Sequence, residues 1–222
     1  MSMSQAIKLP CPACGTPVDA ELVLSVNVAS QPEARQAILD GSFQRRTCRS
    51  CSTQFCVDPE FTYVDLARGQ YIGVWPAARR GEWQACAQRC LSAFERAFAG
   101  SPAQVSGLAP RVVFGWPALQ EKLLAKDAGI DDRTLEVAKL AVVSSLDDSP
   151  LPGRRELRLV ALQDGDPVLA WVDAREGTSE RRLKVPRTLI SEIDADPATW
   201  QALRDDVADG LVVDFQRDLL AS

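Results

Sequence analysis

Four cysteines form two pairs with the same internal spacing. Cys11 and Cys14 lie in the stretch CPACG, and Cys48 and Cys51 lie in CRSC. A C-x-x-C turn directs two thiolates at one ion about 2.3 Å away, and two such turns complete a tetrahedral all-sulfur site that suits Zn²⁺. Gly15 permits the positive φ that such a turn needs after its second ligand. The spacing therefore predicts one structural zinc site with these four ligands.

The chain contains no histidine. Imidazole acid–base catalysis, the Ser-His-Asp and Cys-His arrangements and every histidine-containing metal site are therefore excluded. The sequence also carries no P-loop, Rossmann glycine fingerprint, G-x-S-x-G elbow or EF-hand loop. A four-cysteine zinc site is normally closed and offers no open position to a substrate. We expect a protein that is not an enzyme, with no catalytic residue and no cofactor besides the structural zinc.

The remaining three cysteines can be interpreted as buried core residues or as functional thiols. Cys56 starts a strand-like run and is expected to pack in the core. Cys86 and Cys90 are four residues apart in a predicted helix over residues 82–99, so they share one face, which we expect to be buried. The alternative is a thiol-based metal or redox sensor that uses all three. The buried interpretation predicts one zinc ion per chain rather than two.

The segment between the cysteine pairs holds its own secondary structure. Residues 20–29, AELVLSVNVA, alternate in apolar character as a strand does. A short helix begins at Pro32 and ends near Gly41, and SFQRRT returns as a strand to the second pair. A β-α-β insertion is therefore predicted between the two halves of the metal site.

These motifs together resemble one known family. The run CPACG, then SVNV, CRSC and FTYVD is similar to the CpXC domain family, over roughly residues 8–76. The stretch RVVFGWPALQEKLLAKDAGIDDRTLEVAK looks like the extension that often follows this domain. The resemblance implies a bacterial zinc-binding module and carries over no catalytic residue. Ser52 stands where the family usually has glycine, so the second turn is expected to be less regular.

The rest of the chain predicts an α+β fold in two units. Residues 1–100 form an N-terminal zinc-ribbon-like unit that contains the insertion, and residues 111–222 form a C-terminal sheet-and-helix unit. The loose stretch SPAQVSGLAP connects them. In the second unit, Asp164-Gly165 marks a hairpin turn, and helices begin near Pro186 and Pro197.

Charge is divided unevenly along the chain. The net charge is −5, and residues 101–222 carry 15 Lys and Arg against 21 Asp and Glu. An acidic surface repels a phosphate backbone, so nucleic acid is the less favoured partner. The sequence shows no apolar run long enough to cross a membrane and no signal-peptide pattern, so we expect a cytoplasmic protein without membrane contact.

These observations favour a protein-interaction or regulatory adaptor module whose partner is another protein. Trp75, Trp116 and Trp171 are candidate anchors if they are exposed, and core residues otherwise. The alternative is a nucleic-acid-binding zinc-ribbon protein. Its phosphate contacts would come from a set of arginines: Arg45, Arg46, Arg49, Arg79 and Arg80.

Overall fold

A five-stranded mixed sheet organises the first half of the chain. The structure is a computed structural model that describes residues 3–100, 107–146, 155–173 and 179–217. The strand order is β1-β2-β5-β6-β7. β1 and β2 pair in an antiparallel hairpin, as do β5 and β6, whereas β2–β5 and β6–β7 are parallel. The strands are β1 (Met3–Pro10), β2 (Pro17–Asn27), β5 (Phe61–Asp65), β6 (Gln70–Trp75) and β7 (Ala109–Phe114).

Helices cover both faces of this sheet. Alternate residues of β6 point to opposite sides, so Ile72 and Val74 pack with Leu119 and Leu123, whereas Tyr71 and its neighbours on the other face pack against a different helix. The two cores are thus separated by the sheet itself. The helices of this half are α1 (Pro32–Leu39), α2 (Trp83–Ala97) and α3 (Trp116–Asp127).

A small hairpin stands apart from the large sheet. β3 (Arg45–Thr47) and β4 (Gln54–Cys56) pair with each other in a two-stranded sheet. The predicted order of strand, helix and strand between the cysteine pairs is present as β2, α1 and β3. β3 does not join β2, however, because its backbone partners lie in β4.

A three-stranded antiparallel sheet forms the second half, in the order β10-β9-β8. Its central hairpin turns at Asp164 and Gly165, as the sequence predicts, and their φ values of 55° and 85° match a type I′ turn. The helices pack on one side around Leu159, Leu169 and Trp171. The elements are α4 (Asp132–Ser144), β8 (Arg155–Gln163), β9 (Asp166–Asp173), β10 (Ser179–Lys184), α5 (Arg187–Ala195), α6 (Gln201–Asp206), β11 (Ala208–Asp209) and β12 (Val212–Val213).

The predicted α+β class is confirmed, and the large sheet continues past residue 100. Strand β7, which begins in the predicted connecting stretch and continues into the range 111–222, pairs with β6 over six residues from Gln70–Ala109 to Trp75–Phe114. Helix α3 then contacts both halves, because Leu119 and Leu123 enter the core of the first sheet while Glu121 accepts a hydrogen bond from Leu159 N–H in β8. Among the described residues, no helix has the length and apolar character needed to cross a membrane.

A network of buried charges lies where these elements meet. Arg158 donates to Glu121 at 2.9 Å and to Asp214 at 2.7 Å, although its side chain is only 1% exposed. Lys139 lies 2.7 Å from Glu121 and 2.8 Å from Glu136, and all three side chains are fully buried. Each charge is therefore taken out of water only where opposite charges replace the lost hydration.

The network is neutral when all of its members are ionised. Burial would raise the pKa of Glu121, but the charges of Lys139, Arg158 and Lys122 outweigh it and hold that pKa below its usual range. Burial raises the pKa of Glu136 to about 7. The ten members are five cations and five carboxylates: Arg80, Arg111, Lys122, Lys139, Arg158, Glu121, Asp132, Glu136, Glu156 and Asp214.

Removing one carboxylate from this network should destabilise the whole fold. We expect Glu121→Gln to lower the free energy of unfolding by about 3–5 kcal/mol, because Lys139 and Arg158 keep buried charges that lose their counter-ion. Urea denaturation followed by circular dichroism measures the change. The matched control is Glu192→Gln on an exposed position of α5, with an expected change within about 0.5 kcal/mol. Equal effects of the two substitutions would contradict this role of the network.

Candidate metal centre

Each cysteine pair lies in the loop of an antiparallel hairpin. The β1–β2 ladder ends at Pro10 and Pro17, and the loop 11–16 between them carries the first pair. The β3–β4 ladder ends at Thr47 and Gln54, and the loop 48–53 carries the second. Two loops of equal length therefore project from two separate hairpins toward one point.

Both loops are closed by the same two backbone hydrogen bonds, all four 2.9 Å long. In the first loop, Cys11 N–H donates to Thr16 O, and Gly15 N–H donates to Cys11 O. The second loop repeats both bonds at the equivalent positions, from Cys48 to Thr53 and from Ser52 to Cys48. These backbone hydrogen bonds therefore hold each loop in its shape without a metal ion.

The loops bring four sulfurs into one cluster. Cys11 Sγ lies 3.6 Å from Cys51 Sγ, Cys14 Sγ lies 3.7 Å from Cys48 Sγ, and all four atoms are within 4.8 Å of one another. Sulfurs at the corners of a tetrahedron around Zn²⁺ lie about 3.8 Å apart, given Zn–S bonds of about 2.3 Å. All four cysteines are free of disulfides. The spacing and chemistry of the donors therefore fit a metal ion such as zinc.

The thiols of Cys11, Cys14 and Cys51 differ in how readily they ionise. The Thr16 hydroxyl lies 3.4 Å from Cys14 Sγ, and their hydrogen bond lowers the pKa of Cys14 to about 6. Thr53 lies 3.2 Å from Cys51 Sγ and lowers the pKa of that thiol in the same way. Burial raises the pKa of Cys11 to about 11. A cation held by the four cysteines would supply the charge that keeps such a buried thiol ionised.

The two threonines are functional residues that the sequence reasoning missed. Thr16 and Thr53 each follow the second cysteine of their pair by two positions, so the signal was the repeated pattern CPACGT and CRSCST. Gly15 and Ser52 occupy the position between, and both have positive φ, 72° and 59°. Despite its serine, the second loop therefore keeps the backbone course of the first.

The other cysteines lie outside the cluster. Cys86 and Cys90 are buried on the inner face of α2, which confirms their predicted position. Burial raises the pKa of Cys90 to about 11, so its thiol is unreactive at neutral pH. The prediction that Cys56 packs in the core is wrong: its side chain is exposed, because in the described part of the chain no third strand lies beside the β3–β4 hairpin.

Four of the five arginines of the nucleic-acid alternative have partners within the protein. Arg80 is buried and forms an ion pair with Glu156. Arg79 pairs with Glu82 at 2.8 Å and stacks on Trp75. The other three are Arg45, which donates to Gly41 O, Arg46, which donates to Glu21 O, and Arg49, which is exposed. Arg80 at least cannot contact a phosphate.

The three candidate tryptophan anchors pack inside the protein. Trp75 and Trp171 are buried, with 8% and 3% of their surface exposed. Trp116 is half-buried, and its indole N–H donates to Val57 O at 3.0 Å. The three tryptophans are therefore core residues, which is the second of the two interpretations that the sequence left open.

The architecture and the cluster define a mixed α+β protein with a four-cysteine centre at the tips of two hairpins. Residues 9–139 match the family model described as CpXC protein. This match covers more than half of the chain, and it runs through the predicted boundary near residue 100. The chain therefore belongs to the CpXC family. No curated protein and no solved structure matches it.

Gly15 and Ser52 occupy equivalent positions in the two loops, and substitutions at them should change the free energy of unfolding in opposite directions. A residue other than glycine with positive φ is strained by roughly 1 kcal/mol. Gly15→Ser should therefore lower the free energy of unfolding of the metal-loaded protein by about 1 kcal/mol. Ser52→Gly should raise it by about 0.5 kcal/mol, because glycine also loses more entropy on folding.

Urea denaturation in the presence of excess zinc measures both changes. Ser50→Gly is the control, because Ser50 lies in the same loop but is not among the described residues with positive φ. We expect no gain from it. A stabilisation by Ser50→Gly as large as that by Ser52→Gly would show that loop flexibility, not backbone strain, is responsible.

Proposed function

We propose that the chain binds one structural zinc ion through Cys11, Cys14, Cys48 and Cys51 in the manner of a zinc ribbon. The observation that carries this proposal is the convergence of four sulfurs at the tips of two hairpins. Four thiolates favour zinc over the harder divalent cations, which prefer oxygen ligands. A closed site with four protein ligands is characteristic of zinc that serves structure.

The weakness of the second hairpin supports a structural role. β3 and β4 share only three residue pairs, and a two-stranded hairpin of this size is marginally stable in water by itself. An ion bound to both loops would cross-link this hairpin to β1–β2, which belongs to the large sheet. Metal binding would then contribute directly to the folding free energy.

We further propose that the protein is an interaction or regulatory adaptor rather than an enzyme. A closed ion offers no coordination position to a substrate, and the chain has no histidine to act as a general base. The acidic second half favours a protein partner over nucleic acid. A reducing, cytoplasmic location would keep the thiols available to the metal.

Metal content and metal removal test the zinc site. We expect elemental mass spectrometry to find one zinc per chain in the wild type and in Cys56→Ser, the control. Cys48→Ser should lose the ion, because three thiolates remain. Acidification should release zinc from the wild type, since protons compete with the metal for thiolates. A metal-free protein that keeps its full free energy of unfolding would contradict the proposal.

Affinity purification tests the adaptor role. The tagged wild-type chain should retain a protein partner in a stoichiometric amount after nuclease treatment, identified by mass spectrometry. Cys48→Ser, which disrupts the proposed metal centre, should retain less of it, and Cys56→Ser should retain as much as the wild type. Recovery of the wild type alone under mild conditions, or loss of all bound material on nuclease treatment, would contradict a protein-binding role.

A further inference from the structure

An open groove lies between helix α2 and the uncovered part of the large sheet. It encloses a cavity of about 710 Å³, which is in the range of small-molecule binding sites. Its floor comes from β5 and β6, one wall from β2 and the other from α2. This groove is separate from the metal centre, because none of the four clustered cysteines lines it.

A β-bulge turns apolar side chains of β2 into the groove. In the β1–β2 ladder Met3 pairs with Ser25 and Ser4 pairs with Val23, so Leu24 has no partner. Val23 packs on the core beneath the sheet, whereas Leu22 and Leu24 line the groove. Leu24 is 37% exposed. Together with Ala93 of α2, these leucines give the groove an apolar surface that is open to solvent.

Helix α2 presents a row of basic and polar side chains to the same space. Arg89 and Arg96 are two turns apart, which separates them by about 10 Å along the helix. Among the described residues, no carboxylate lies within 4.0 Å of either guanidinium. Glu60, on the opposite side, already pairs with Arg79 at 3.4 Å. The residues of the helical row are Gln88, Arg89, Ser92 and Arg96.

A buried hydrogen-bond donor lies in the floor without an acceptor. Trp75 lines the groove and is 8% exposed, and its indole N–H has no partner among the residues that the structure describes. Nε1 lies 3.5 Å from the point that a Cβ on Gly73 would occupy, and this Cβ would lie 2.9 Å from Cys90 Sγ. Gly73 is therefore required for α2 to approach the sheet. An unpaired buried donor is unfavourable, and a ligand that brings an acceptor would relieve it.

We propose that this groove binds a small amphipathic carboxylate. Its hydrocarbon part lies on Leu22, Leu24 and Ala93, and its carboxylate pairs with Arg89 or Arg96. Arginine suits this role because its fork of N–H groups matches the two carboxylate oxygens. An added peptide strand fits less well, because Thr62 of β5 already pairs with Ser25 on one side and Gly73 on the other. The site is independent of the proposed zinc and adaptor functions.

Titration with decanoate, monitored by the indole N–H signals in ¹⁵N NMR spectra, tests the proposal. The Trp75 signal is identified by its absence in Trp75→Phe. We expect this signal to shift and saturate with decanoate, and to shift little with butyrate or decyltrimethylammonium. Arg89→Gln together with Arg96→Gln should weaken decanoate binding roughly tenfold or more, since charge-assisted hydrogen bonds are lost.

The control variant is Arg182→Gln on an exposed position of β10, which should bind decanoate as the wild type does. Zinc content and circular dichroism confirm that each variant is folded. Leu24→Gln, which keeps both arginines, should also weaken binding. Absence of saturable decanoate binding, equal binding of decyltrimethylammonium, or unchanged affinity in the double arginine variant would each overturn the proposal.

Discussion

Burying Arg158 requires that carboxylates from distant parts of the chain meet at one point. Glu121 comes from α3, Glu156 from β8 itself and Asp214 from the segment after β12. Arg80 reaches the same network from the first half by pairing with Glu156. Because a buried charge without its partner is strongly unfavourable, these elements hold one relative arrangement. The two halves of the chain are thus joined by electrostatics as well as by packing.

Helix α3 lies at the junction between the two halves of the chain, and it is buried there on nearly all sides. Leu119 and Leu123 face the first sheet, while Glu121 and Lys122 face the second half. A helix with a single apolar stripe packs against one element. Helix α3 instead directs apolar residues toward the first sheet and paired charges toward the second half. The family match continues through this helix into α4. The unit shared with the CpXC family therefore includes the junction as well as the cysteine loops.

The cysteine cluster depends on a different kind of constraint. Each loop is shaped by its own backbone hydrogen bonds, and the threonine hydroxyls beside Cys14 and Cys51 favour their thiolates. The cluster lies at hairpin tips, away from the charged network. A cross-link there would stabilise a short hairpin that has little core of its own, which is consistent with a structural rather than a catalytic ion. The groove beside α2 offers the protein a second binding surface with unrelated chemistry.

The sequence alone predicted the features that local spacing controls. The two C-x-x-C turns, the positive φ at Gly15, the Asp164-Gly165 hairpin and the buried face of α2 all follow from residues close together in the chain. The same reasoning found the four cysteines of the candidate site. It missed Thr16 and Thr53, although their repeated position after each pair was visible in the sequence.

Tertiary structure decided what depends on residues far apart. A local pattern does not show which strand β7 will join, so the pairing of β6 with β7 across the expected boundary came from the structure. Single charged residues such as Glu121 and Lys139 look like solvated positions until their partners are known. The exposure of Cys56 likewise depends on the absence of a third strand beside β3–β4 among the described residues. Periodicity and turn chemistry act over a few residues, whereas strand order and charge pairing are fixed only when distant segments pack together.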